Sequence, residues 1–319
     1  MARLAIETWA PDYGAPVEAG VLDESTATVA LDVERPAASW APVAPAADPA
    51  GAVLFVDGVQ RIDARVWVTD DGGPSRVGVC ATWGAGAVRC AGRARYIGGE
   101  VRRGVLCPGD PVDPIVTRHG TYEPYPVPGA EGDPVHQAVG RARGDLEGRV
   151  AVSVRPGGEP GELLIVDGPL GDRRHIAGAV GYVKSHQLSY LPPEQQHVIT
   201  TLGPGQRTPL FTVGDRRYRY SWYLRLPGRA THPWWGVVRC EAAGDLGRAE
   251  ATALADRVAA TVPRFATQPH NDPRAPQNLH PIAGLERELR RRLGDQPLLE
   301  RALREAAADG GGDRDGAGG

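Results

Sequence analysis

The chain has 319 residues, of which 41% are hydrophobic and 24% charged, so it can bury a sizeable core. Its formal net charge of −3 gives no overall attraction to nucleic acid, so any such binding must come from local basic patches. No apolar run is long enough to span a bilayer, and residues 1–16 lack the basic-then-apolar pattern of a secretory signal. We therefore expect a cytoplasmic protein with no membrane partner.

Cysteine and lysine usage both bear on possible chemistry. The four cysteines, Cys80, Cys90, Cys107 and Cys240, form no CxxC pair, so free thiols are expected rather than disulfides or a zinc site. Of the 36 basic residues, Lys184 is the only lysine. A lysine ammonium is a compact point charge suited to a phosphate, whereas the alternative is that one lysine survived by chance in an arginine-rich chain.

The predicted elements begin after an irregular, Pro- and Ala-rich lead-in with a strand-like stretch at 27–33. Three strands are then predicted, at 51–56, 61–69 and 76–83. The first is a continuous apolar run, typical of a strand that is buried on both faces. The other two are separated by a turn at 70–73, and so short a connection implies antiparallel pairing.

A helix is predicted to begin near Pro134, because apolar residues recur at helical spacing through Leu146. Four strands are predicted after it, at 163–166, 177–183, 216–226 and 235–240. The remaining helices are predicted at 247–261 and, as a pair split at Gly294, at 282–306. This order predicts a mixed α/β sheet flanked by helices, in a single domain of residues 1–306 with loop-rich insertions and a core at about 50–295. The Gly- and Asp-rich tail, 307–319, is expected to be disordered.

The strongest chemical pattern is a repeated apolar strand followed by Asp-Gly, once at Asp57 and again at Asp167. If the helix between them crosses over, the two strands can lie parallel and adjacent, about 4.8 Å apart. Both carboxylates would then emerge at one edge of the sheet and could share a hard cation such as Mg²⁺ or Mn²⁺. The alternative is structural, because Asp-Gly after a strand is a common turn.

A third carboxylate would complete such a site, and the sequence offers several. Asp145 and Glu147 flank the apolar stripe of the predicted helix on opposite sides, so helical periodicity does not choose between them. Glu100 and Glu131 are further candidates, and any of these residues could instead be solvated.

Basic and aromatic residues follow the second aspartate. Lys184, with His186 and Tyr190 nearby, comes after a strand that should end near Asp167, so the lysine could hold a phosphate. The segment 173–175 adds two arginines and a histidine. The Arg/aromatic strand at 216–226 could track a nucleic-acid backbone and stack bases, or could instead be a half-exposed strand with its tyrosines in the core.

Neither the GxxxxGK[ST] loop of P-loop NTPases nor the GxSxG elbow of α/β-hydrolases is present. The pattern as a whole resembles the NurA family of DNA-repair nucleases. The matching segments are VLFVDG at 53–58, LIVDGPL at 164–170, GYVKSH at 181–186, WYLRL at 222–226 and DPRAPQNLHPI at 272–282.

The resemblance implies a ribonuclease-H-like fold and a Mn²⁺- or Mg²⁺-dependent deoxyribonuclease of the 5′–3′ exonuclease and single-strand endonuclease type. It also implies DNA end resection by a homodimer that docks on a hexameric HerA-type ATPase translocase. In the family's pattern, Asp57, Glu147 and Asp167 are the metal ligands and Lys184 takes part in the chemistry. His280 is the nearest match to a catalytic histidine, but it occupies a slot that commonly holds tyrosine.

Two other functional classes stay open. One is a non-catalytic ribonuclease-H-like subunit that binds DNA or regulates a translocase, which the net negative charge favours. The other is a related enzyme that acts on RNA.

Overall fold

The protein is described from a computed structural model that covers residues 23–69, 75–127, 134–155, 161–186, 188–215 and 218–312. Among the described residues, seven strands precede the first long helix: β1 Asp23–Glu24, β2 Val29–Ala30, β3 Val53–Val68, β4 Arg76–Ala91, β5 Arg93–Leu106, β6 Ile115–Thr117 and β7 Gly120–Tyr125. Six follow it: β8 Leu163–Asp167, β9 Ala179–Val183, β10 Leu188–Ser189, β11 Phe211–Val213, β12 Arg219–Arg225 and β13 Val237–Ala243.

Five α-helices are described: α1 Pro134–Ser153, α2 Pro193–Thr201, α3 Arg248–Thr261, α4 His280–Arg292 and α5 Gln296–Gly312. Short 3₁₀ turns lie at Ala37–Ser39, Gly171–His175 and Val262–Phe265. None of the helices in these described ranges combines the length and the apolar character that a membrane crossing needs.

Eleven strands form one mixed sheet in the order β2-β11-β12-β13-β9-β8-β3-β4-β5-β7-β6. At its centre β3 pairs with β8 in parallel, and Val56 lies opposite Val166. On the other side β8 pairs in parallel with β9, and Asp167 lies opposite Tyr182. The predicted mixed α/β sheet and its parallel first and second apolar strands are therefore confirmed.

The structure corrects the expected course of the first strand. Residues 51–56 and 61–69 are not two strands separated at Asp57-Gly58, because β3 runs without interruption from Val53 to Val68. A side chain at position 58 would collide with Glu147, whose Oε1 lies 2.5 Å from where a Cβ would be. Gly58 therefore serves close packing in mid-strand rather than a turn.

Several other predicted boundaries also move. The strand β5 was not predicted, and α5 continues through Gly312, past the expected start of the tail at 307. The helix start at Pro134 is confirmed, as is the break between α4 and α5, where Gly294 has a φ of 87°. The predicted turn at 70–73 and the first two residues of the predicted strand at 216–226 lie outside the described residues.

The chain divides into two compact units. Unit 1 comprises the described parts of residues 1–56, 88–95 and 155–283, and unit 2 those of residues 57–87, 96–154 and 284–319. A core cluster in unit 1 contains Leu191, Ile199, Leu202, Phe211, Val213, Tyr223 and Val237. A core cluster in unit 2 contains Cys80, Val105, Tyr122 and Leu303. All four cysteines are buried free thiols.

Candidate metal centre

Asp57 and Asp167 are brought to neighbouring positions by the register of two parallel strands. Each directly follows one member of the aligned pair Val56 and Val166, so the two aspartates lie at the same level, Asp57 within β3 and Asp167 at the end of β8. Asp57 is only 3% exposed, and its Oδ1 accepts a hydrogen bond of 2.7 Å from the Gly58 N–H. Asp167 is half-buried.

A third carboxylate joins them from α4. One oxygen from each of Asp57, Asp167 and Glu286 lies within 4.8 Å of the other two, which is a spacing that a single cation can bridge. Three negative charges at such distances repel one another, so a positive charge among them is stabilising. An all-oxygen donor set of this kind suits a hard divalent cation such as Mg²⁺ or Mn²⁺.

Glu286 was missed by the sequence reasoning, although the sequence carried a usable indication. The apolar stripe of α4 is formed by Ile282, Leu285 and Leu289 and continues at Leu293 just after the helix, and all four residues are buried. Glu286 lies four residues after Ile282 and three before Leu289, and therefore borders the stripe rather than the solvent side. A carboxylate at such a position must find a partner, and this requirement could have singled it out.

Asp167 has one oxygen that is satisfied and one that is not. Its Oδ2 lies 2.8 Å from the Nζ of Lys184, in an ion pair whose side chains are 17% and 12% exposed. Within the described ranges, its Oδ1 is buried and has no hydrogen-bond partner. A buried carboxylate oxygen without a donor costs free energy unless a cation or water completes it, so this atom fits a metal ligand.

The structure separates the alternatives for the third acid. Glu147 is 2% exposed and packs over Gly58, the residue after Asp57, but it is not part of the three-carboxylate group found in the described chain. Asp145 is exposed and accepts a 3.0 Å hydrogen bond from the Tyr125 hydroxyl. Glu100 forms a surface ion pair with Arg102 on β5. Glu131 lies outside the described residues.

The two histidines that the sequence analysis singled out, His186 and His280, lie in different environments. His280 is exposed at the first residue of α4 and is not part of the three-carboxylate group. His186 packs against the rings of Tyr223 and Trp234, and its Nε2 lies 2.9 Å from the carbonyl oxygen of Val237. Loss of hydration lowers the pKa of His186 to about 4, with a smaller contribution from the nearby Arg239 charge. His186 is therefore a neutral packing residue.

The Arg/aromatic strand is part of the interior rather than a nucleic-acid track. Tyr220, Trp222 and Arg225 on β12 are all buried. The Arg225 guanidinium donates to the carbonyl oxygens of Pro233 at 2.6 Å and Ile199 at 3.2 Å. These contacts direct both terminal NH₂ groups of the guanidinium at the protein backbone, so the alternative of a structural strand describes β12 better, with its arginine buried as well.

A second buried acid, Glu241 on β13, lies in the same sheet and is fully engaged. Its Oε1 accepts from Arg219 at 2.8 Å and also from Arg239, while its Oε2 accepts from the Leu170 N–H at 2.9 Å. Arg239 also stacks on the ring of Tyr190, 4.5 Å from its centroid. Burial acts to raise the pKa of Glu241, but Arg239, Arg219 and the Leu170 N–H outweigh it and hold that pKa below its usual value.

Comparison with known proteins gives no match, either to the profile of a protein family or to the sequence of a curated protein.

Proposed function

We propose that the chain is a metal-dependent nuclease of the NurA type, with a ribonuclease-H-like fold, that resects DNA ends as a homodimer together with a HerA-type translocase. The observation that carries the proposal is the convergence of Asp57, Asp167 and Glu286 on a shared position, with Lys184 beside them. The sequence resemblance supplies the substrate and the partner.

The residues fit a divalent cation on two grounds. Their donor atoms are all carboxylate oxygens, and the buried Oδ1 of Asp167 has no hydrogen-bond donor in the described part of the chain. When bound, such an ion would supply Lewis acidity for phosphodiester hydrolysis. In this proposal Asp57 and Asp167 would hold the ion. The geometry favours Glu286 as the third ligand, whereas the family resemblance implies Glu147.

Lys184 has a separate role in the proposal. Its ammonium is held 2.8 Å from Asp167, so its positive charge lies at the rim of the carboxylate group. A phosphate that approached the carboxylates would meet this charge, which would offset the repulsion between the two anions. We assign Lys184 to the orientation of the scissile phosphate and give no role to His280.

One observation favours the second candidate, a non-catalytic subunit that binds DNA or regulates a translocase. The Lys184 ammonium already neutralises part of the charge on Asp167, as a cation would. A scaffold stabilised by this ion pair would need no metal, and it would bind DNA without cutting it.

The deciding experiment incubates the purified chain with linear or closed circular DNA and Mn²⁺, with a chelator control and with the translocase present or absent. Asp57→Asn and Asp167→Asn should each lower Mn²⁺-dependent degradation by about 1000-fold, because each removes the charge of a metal ligand. Both substitutions keep the side-chain shape, and the amide oxygen at position 57 could still accept from the Gly58 N–H. The matched control is Asp245→Asn, since Asp245 is exposed and outside the group.

Full activity in either variant would overturn the nuclease proposal. Binding of DNA that needs no metal and leads to no degradation would instead establish the non-catalytic subunit. An RNA substrate in place of DNA would decide between a deoxyribonuclease and an enzyme that acts on RNA.

A further inference from the structure

A buried polar network behind Lys184 links it to a loop that precedes α4. The acceptors of the Lys184 Nζ include Asp167 Oδ2 at 2.8 Å and Asn278 Oδ1 at 3.4 Å. Asn278 is completely buried, and Asp272 behind it is 8% exposed. The network is therefore shielded from solvent on the side away from Asp167.

Asp272 determines which end of the Asn278 amide faces the lysine. The Asn278 Nδ2 donates to Asp272 Oδ2 at 2.6 Å, and an ionised carboxylate accepts hydrogen bonds only. The amide must therefore direct its NH₂ group at Asp272 and its oxygen at Lys184. Rotation of the amide by 180° would bring NH₂ against the ammonium, with a donor facing a donor.

Asp272 and Asn278 are themselves held by bonds that do not involve Lys184. Asp272 Oδ1 accepts from the Arg274 N–H at 2.7 Å. The Asn278 carbonyl oxygen accepts from the Thr267 hydroxyl at 2.7 Å and from the Thr267 N–H at 3.1 Å. The backbone frame of the loop thus remains when the Asn278 side chain is shortened.

We propose that Asn278 and Asp272 are positioning residues that fix the Lys184 ammonium beside Asp167 in the orientation that phosphate recognition needs. The expected effect on DNA cleavage rests on the proposed function, whereas the expected effect on the position of the Lys184 ammonium does not. A lysine side chain loses much rotamer entropy when its ammonium is held in one place, so a second, uncharged acceptor beside the ion pair restricts the positions that the ammonium can take. Neither Asn278 nor Asp272 needs to touch DNA.

The first test uses the fact that Lys184 is the only lysine in the chain. Full-length protein labelled with ¹³C,¹⁵N-lysine gives one side-chain signal, which reports on Lys184 without any need for activity. In Asn278→Ala the ammonium hydrogens should exchange with water several-fold faster, and the two Cε hydrogens should become equivalent. Asn271→Ala, an exposed site in the same loop, should leave the signal unchanged.

The second test measures Mn²⁺-dependent cleavage. Asn278→Ala should lower kcat by about 10- to 100-fold, as expected when a supporting residue of a site is lost, with KM for DNA and Mn²⁺ affinity little changed. Asp272→Asn should also lower kcat, because it removes the acceptor-only group that orients the Asn278 amide. This variant provides the test if Asn278→Ala does not fold.

The outcomes separate the inference from the proposed function. A Lys184 signal that is identical in the wild type, Asn278→Ala and Asp272→Asn would overturn the positioning role, whatever the cleavage assay gives. A loosened Lys184 signal in a protein whose wild type never cuts DNA would keep the positioning role and remove the nuclease. Equal losses in kcat and Mn²⁺ affinity would mean that Asn278 supports the metal ligands rather than the lysine.

Discussion

The half-buried Asp167 and the fully buried Glu241 are acids in one sheet, and they differ in how their charge is satisfied. Asp167 on β8 aligns with Tyr182, whereas Glu241 on β13 aligns with Gly181, so the two lie in adjacent rows whose side chains point to opposite faces. Glu241 has two arginines and a backbone N–H on its two oxygens. Asp167 has one lysine on one oxygen.

The difference teaches how a structural acid can be told from a functional one. A buried carboxylate whose oxygens are both satisfied is complete within the protein and stabilises the fold. A carboxylate with a buried, unsatisfied oxygen next to other carboxylates lowers the stability of the fold. Such an arrangement is typical of a site where a bound ligand supplies the missing partner. The comparison therefore predicts a large loss of stability when the Glu241 charge is removed and only a small change when the Asp167 charge is removed.

The largest expected effect on stability is at Glu241. Glu241→Gln should lower the free energy of unfolding by about 3 kcal/mol, because it leaves Arg239 buried without a full countercharge. Asp167→Asn should change it by less than about 1 kcal/mol, since the loss of the lysine pair is offset by relief of repulsion from Asp57 and Glu286. Urea denaturation of both variants measures this, with the exposed Glu250→Gln as control. If Asp167→Asn proves the more destabilising of the two, the comparison fails.

A smaller effect should identify the third metal ligand. Glu286→Gln should weaken Mn²⁺ binding by about 10- to 100-fold or more, because it removes a carboxylate from the group. Glu147→Gln should weaken it less, because its carboxylate packs at Gly58 and lies outside that group. Electron paramagnetic resonance of free Mn²⁺ measures both without activity, and Glu288→Gln on the same helix is the control. The reverse ranking would restore the assignment that the family resemblance implies.

The sequence allowed much of this arrangement to be predicted where local pattern and long-range packing agree. The apolar runs and the crossover helix were enough to predict that β3 and β8 pair in parallel, and hence that Asp57 and Asp167 are neighbours. The local preference of Asp-Gly left a turn open as the alternative at Gly58, whereas the close approach of Glu147 explains why a glycine lies there within a strand.

The remaining features depend on contacts between distant residues. Asn278 lies 94 residues from Lys184 in the chain, and no periodicity relates them. The burial of Arg225 depends on three carbonyl groups from other segments, which are invisible in an alternating Arg/aromatic pattern. Glu286 could be predicted only in part. The sequence showed its place beside an apolar stripe, but not that it lies near Asp57 and Asp167.

The smallest expected effect extends the comparison from the two acids to a base, His186. Because loss of hydration lowers the pKa of His186 to about 4, the unfolded chain takes up a proton near pH 6.5 and the folded protein only near pH 4. The unfolded state thus binds more protons in this window, so stability is complete above pH 6.5 and decreases as the pH falls towards 4. Between pH 7 and 5.5 the decrease attributable to His186 should be about 1 kcal/mol.

His186→Gln removes the titration but can still donate a hydrogen bond to Val237. Its stability should therefore fall less than that of the wild type over the same pH interval, while the exposed His270→Gln should follow the wild type. Chemical denaturation at pH 7 and pH 5.5 measures the difference. A pH dependence in His186→Gln equal to that of the wild type would mean that the pKa of His186 is the same in the folded and unfolded states. At pH 5.5 its packing against Tyr223 and Trp234 would then have to accommodate an imidazolium, as Asp167 accommodates the Lys184 ammonium.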